Sequence, residues 1–106
     1  MGAYDFYSEA VGKTAQEAFA LAVEDAAYEH GHGGYTGTIA EKSEFVMIKL
    51  PTGQDAHRYA EQLVHGNDDR IDDKWGPAGC IDMGPEPLPR GKRKCHRYLF
   101  FGWASS

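Results

Sequence analysis

Polar and apolar positions alternate along this chain with two different periods, and the changes of period mark out its elements. From Ala3 to Val11 the period is two. Tyr4, Phe6, Ser8 and Ala10 share one face, and Asp5, Tyr7 and Glu9 share the other, which predicts a strand. Gly12 and Lys13 turn the chain. Ala15, Ala18, Phe19, Ala22, Val23 and Ala26 then recur at three/four spacing, which predicts a helix. Thr14 as N-cap and Glu17 at N3 form a capping box at its start. Gly31 is a natural stop. The small alanines on the stripe predict close packing against a sheet.

Further on, Gly37–Glu41 reads as a short strand and Glu41–Glu44 as a hairpin turn. Phe45–Leu50 reads as a better strand, with Val46, Ile48 and Leu50 facing one way and Phe45, Met47 and Lys49 the other. Pro51 ends it. Thr52 is the expected cap of a second helix, with Asp55 at N3. Ala56, Tyr59, Ala60, Leu63 and Val64 form its apolar stripe, and Gly66 ends it. Residues 67–74 are an acidic connector. A tight loop over 75–80 leads into a short strand through Ile81 and Met83, and Pro85, Pro87 and Pro89 define an extended segment. In Cys95–Trp103, the residues Cys95, Arg97, Leu99, Phe101 and Trp103 alternate with His96, Tyr98, Phe100 and Gly102. Both faces are apolar beyond Arg97, which predicts a central strand or one buried in an oligomer.

This order predicts a single α+β domain over residues 1–106. Two helices pack on one face of a four- or five-stranded, mainly antiparallel sheet, in the β-α-β-β-α-β order of ferredoxin-like folds.

Composition narrows the function classes. At 106 residues and 42% hydrophobic content the chain is one globular domain. No apolar run approaches the length of a membrane span, and the first residues lack a signal-peptide pattern, so a cytoplasmic location is expected. Cys80 and Cys95 are too few for a disulfide scaffold; thiols are expected, with a single bridge as the alternative. The net charge is −5, yet Arg90, Lys92, Arg93, Lys94 and Arg97 gather five of the 11 basic residues. The overall field disfavours general nucleic-acid binding, while a local anion site at the basic segment stays open.

The densest candidate chemistry lies between Tyr28 and Lys42, which holds four of the 13 glycines and two of the five histidines. Glycines let backbone N–H groups approach an anion. The expected ligand-binding residues are His32, Gly33, Gly34, Tyr35, Thr36, Thr38 and Lys42. Thr36 and Thr38 would donate hydroxyl bonds, Lys42 would supply charge, and Tyr35 or Trp75 would stack on a base. Arg90, Lys92 and Arg93 would close over a phosphate. The alternative is plain turn structure.

Other constellations are weaker. Gly12-Lys13-Thr14 sits in the context of a phosphate loop, but that motif needs a glycine where Tyr7 stands. His30 and His32, with Cys80, Cys95 or His96, have the residue types of a zinc site without its spacing. Asp68, Asp69, Asp72 and Asp73 read as a solvated turn, and His57, Glu61 and His65 as a solvent-facing stripe. No cofactor, metal or catalytic residue is implied.

The segments GYTGTIAEK (Gly34 to Lys42), DKWGPAGC (Asp73 to Cys80) and FFGWASS (Phe100 to Ser106) resemble a group of small proteins of phages and mobile elements. The resemblance implies an accessory protein of a bacterial host's cytoplasm, of a kind that inhibits, sequesters or regulates and acts as a homo-oligomer. The expected function is therefore non-enzymatic capture of a phosphate-bearing, nucleotide-derived signal, in a counter-defence role. The alternative is an inhibitor or adaptor that binds a host protein through the acidic surface.

Overall fold

The strand that is apolar on both faces, His96–Ser105, lies inside a four-stranded sheet with a helix on each side. In the computed structural model the described residues are 2–30, 36–85 and 95–105. The elements are β1 (Ala3–Gly12), α1 (Ala15–His30), a 3-10 turn (Ile39–Glu41), β2 (Phe45–Met47), α2 (Ala56–His65), β3 (Ala78–Pro85) and β4 (His96–Ser105). The sheet order is β1-β4-β3-β2. β4 is antiparallel to both β1 and β3, whereas β2 and β3 are parallel.

The α+β class with two helices holds, but the arrangement differs from the ferredoxin-like expectation. The helices occupy opposite faces. Phe100 and Ala104 pack with Phe6, Ala18, Phe19, Ala22 and Cys80 beneath α1. Leu99 and Phe101 pack with Ile48, Ala60, Val64 and Ile81 beneath α2. A strand apolar on both sides has to be covered on both sides, and the two helices supply one cover each. The pattern of β4 therefore needs no second chain to explain it. On the α1 side, Phe19, Phe45 and Phe100 form a ring cluster with centroids 5.0–5.7 Å apart. Truncating Phe100, which is fully buried, would cost about 3–5 kcal/mol. On the α2 side, a Cβ at Gly79 would lie 2.7 Å from the Phe101 ring, so glycine there lets that ring lie flat across β3.

Local chemistry explains the other departures. Residues 37–41 form no strand, because Thr38 caps the 3-10 turn by accepting from the Ala40 N–H at 3.2 Å. Side-chain bonds of this kind compete with strand pairing. The hairpin expected after it is absent, and β2 pairs with β3 instead. The cap of α2 is Asp55, which accepts from the Arg58 N–H at 3.0 Å, and not Thr52. At α1 the Glu17 N–H donates to Thr14 Oγ1 at 3.1 Å as expected, while the Glu17 carboxylate reaches back to the N–H of Lys13.

Candidate functional site

Four of the sequence-derived candidates fall within the described residues. Thr36, Thr38, Lys42 and Trp75 lie at the end where β1 begins and β4 finishes; the Gly37 N–H donates to the Ser105 carbonyl at 2.8 Å. His32, Gly33, Gly34, Tyr35, Arg90, Lys92 and Arg93 fall outside the described residues, as does the side chain of His30. A ten-residue strand such as β4 spans about 30 Å from one end of the sheet to the other.

At the first end the polar groups serve one another. The Thr36 hydroxyl donates to Glu41 Oε2 at 2.7 Å and lies 2.8 Å from the Thr38 hydroxyl. With the Thr36 proton on Glu41, Thr38 donates to Thr36. Both hydroxyl protons are then used, and the carboxylate that orders them would repel an anion. Lys42 is 4% exposed. Its Nζ donates to the carbonyls of Asp73, Lys74 and Gly76 at 3.3, 3.2 and 2.8 Å, which takes up the three donors of an ammonium. Burial pulls this amine down to about 8, opposed by the charge of Asp73. Lys42 thus pins the turn that leads into β3. Trp75 is 63% exposed, with the Lys74 ammonium 5.6 Å from its ring centre.

At the opposite end the structure opens a cleft of about 670 Å³. It lies where β2 hands over to residues 48–54 on the way to α2, beside the last residues of β3. β2, α2 and β3 form a parallel crossover, and open sheets take ligands beyond the carboxyl ends of such strands. Met47, Leu50 and Pro51 supply apolar wall; Lys49, Thr52, Gln54, Asp82 and His96 supply polar groups. His96 Nδ1 lies 2.9 and 3.0 Å from the two oxygens of Asp82. Asp82 is held in turn by the Gly84 N–H at 2.8 Å. The ring of His96 stacks beside Tyr98 with centroids 6.2 Å apart. The Asp82 carboxylate fixes the orientation of the His96 imidazole through Nδ1.

Nothing in the sequence singles out Asp82 or Lys49, and His96 reads there only as a metal ligand or thiol partner. His96 lies two residues from Tyr98, the partner of Asp82, and a register shift follows between Asp82 and Pro85, with Gly84 at φ 103°. The one available hint was Gly84, two residues after Asp82 within the strand, since glycine in a strand marks a bulge.

A second polar seam joins α2 to β1. His57 Nε2 lies 2.5 Å from Glu9 Oε2, Arg97 donates to Glu9 Oε1 at 3.1 Å, and His65 lies 3.7 Å from Asp5. The stripe of His57, Glu61 and His65 leaves Glu61 and His65 exposed, as expected, while half-buried His57 also ties the helix to β1. Among the acidic residues of the connector, Asp68 binds Arg70 and Asp73 accepts from the Trp75 N–H. Among the described residues no cluster of three or more histidine, cysteine or acidic side chains is arranged to hold a metal, and no helix is long and apolar enough to cross a membrane. No protein-family model matches the chain, and comparison with curated proteins and with solved structures gives no match either.

Proposed function

We propose that the protein binds a phosphate-bearing, nucleotide-derived small molecule without transforming it, and that the ligand enters the cleft beside His96 and Asp82. The observation that carries this reading is the position of the cleft. It lies at the handover from β2 to α2 in a parallel crossover, with convergent polar groups against an apolar wall. In this reading His96 Nε2 and Lys49 meet phosphate, Thr52 and Gln54 bond to sugar or base edges, and Met47 and Leu50 lie against the base. Gly84 and His96, both lining the cleft, flank the sequence that carries Arg90, Lys92 and Arg93, and those residues add charge for the phosphate. The resemblance to small phage proteins supports a sink for a host nucleotide signal in a bacterial cytoplasm.

Thermal-shift measurement against mono-, di- and cyclic nucleotides tests it, because a ligand that binds only the folded state raises the melting point. His96→Ala and Lys49→Ala should abolish the shift while the unliganded melting point barely moves. Trp75→Ala should keep the shift. A silent panel at large ligand excess overturns the reading. Loss with Trp75→Ala in place of His96→Ala would move the site to the other end of the sheet.

A further inference from the structure

The outer edge of β1 is long and regular. β1 pairs with β4 over all ten residues without a register break, and among the described residues no strand lies on its other side. Proteins guard such edges with short strands, prolines, bulges or lysines. The far edge, β2, is three residues long. β1 is ten residues long and contains no proline and no lysine. A groove of about 420 Å³ runs beside its backbone from Asp5 to Glu9, and α1 forms the other wall. The wall carries Ala22 and Ala26, whose small side chains leave room, and Asp25 and Glu29. Between Ala3 and His30 the sequence holds Asp5, Glu9, Glu17, Glu24, Asp25 and Glu29 against one basic residue, Lys13.

From this geometry we infer that the outer edge of β1 is a docking strand for an extended basic segment of another protein. The incoming backbone adds as a fifth strand, so its affinity comes from main-chain hydrogen bonds and its selection from side chains at alternate positions. Lysines or arginines on the side toward α1 meet Asp25. Charge argues against a second copy as the occupant, because pairing β1 with β1 would bring two acidic helices together. The inference is independent of the cleft at His96.

Fluorescence anisotropy with a short peptide alternating lysine and valine, combined with amide hydrogen exchange, tests it. Saturable binding is expected, with new protection at alternate amides of β1. The variant Asp25→Lys should bind about tenfold more weakly while melting normally. The same peptide with prolines in place of its central valines should not bind, since proline cannot complete a ladder. Equal binding of the proline peptide would overturn the inference by showing charge attraction alone. So would β1 protection that grows with protein concentration in the absence of peptide, which would make a second copy the occupant. Absence of binding would overturn it outright.

Discussion

His57 on α2 reaches Glu9 on β1 across 2.5 Å, Nε2 to Oε2, and this contact is one of a matched pair. One further along, His65 meets Asp5. The histidines are separated by about 12 Å of helix rise and the carboxylates by about 13 Å of strand rise. Two partly exposed ion pairs therefore share one repeat length and set the position of α2 along β1.

That match predicts a pH-dependent coupling. His57, ahead of Arg97, holds the Glu9 carboxyl below its usual 4.5. A lowered acid contributes stability that is full above 4.5 and lost as pH falls through the lowered value. A double-mutant cycle of His57→Ala and Glu9→Gln, read by urea unfolding, should give a coupling of about 0.5–1 kcal/mol near pH 6. The coupling should fade below pH 4.5, and a cycle flat with pH would show that the contact carries no charge.

Tyr7 sits between these pairs and donates to Asp5 Oδ2 at 3.2 Å. Burial first, then the charge of Asp5, pushes its phenol from 10.0 to about 12. The folded state keeps a proton that the unfolded chain has lost, so this contribution is full below pH 10 and disappears as pH rises through 12. In Tyr7→Phe, alkaline unfolding should begin at higher pH, which circular dichroism across pH 9–12 would detect.

Removing the ammonium in Lys42→Met should leave three carbonyls without their donor and cost about 2–3 kcal/mol. The amine also leaves a signature in alkali. Its pKa falls from 10.5 to about 8 on folding, so stability rises as pH climbs between those values and that gain is lost as pH falls through 8. The rise should be missing from the variant. Comparing the two proteins cancels the opposite trend from Cys80, whose thiol is raised from 9.0 to about 12.

The cysteines should also differ in reactivity. Cys80 is buried with its thiol held protonated, while Cys95 is half-buried. Iodoacetamide at neutral pH should modify Cys95 alone in the folded protein and both thiols in urea, as read by mass spectrometry. Equal labelling without urea would mean that β3 opens readily.

Much of the fold is written in its periodicities. Tyr4 through Ala10, the stripe from Ala56 to Val64, and the split of Val46, Ile48 and Leu50 from Phe45 all lie on the faces that alternation assigns. β4 also announced its central place through apolar residues on both sides. The same pattern implied a helix over each face, a consequence that the ferredoxin-like template obscured. Strand order was hidden, because parallel pairing of β2 with β3 depends on where α2 crosses and no residue in either strand encodes it. The cleft dyad was hidden for a similar reason: Asp82 and His96 meet across the pairing of β3 with β4, which neither strand's own pattern encodes. Lys42 misled because a lysine among glycines and threonines reads as charge offered to a ligand, whereas three distant carbonyls enclose it.

The placement of β4 also governs how the chain can assemble. Its pairs with β1 run from Gly12 and His96, 84 residues apart, to Ala3 and Ser105, 102 apart. Contacts this remote close large loops before they return any energy, which places folding in the slow range of about milliseconds to seconds. Until β4 docks, Phe19 and Phe45 on one side and Ala60 and Val64 on the other lack the wall they share. Neither helix can then settle early, and the two half-cores must form in a single cooperative event.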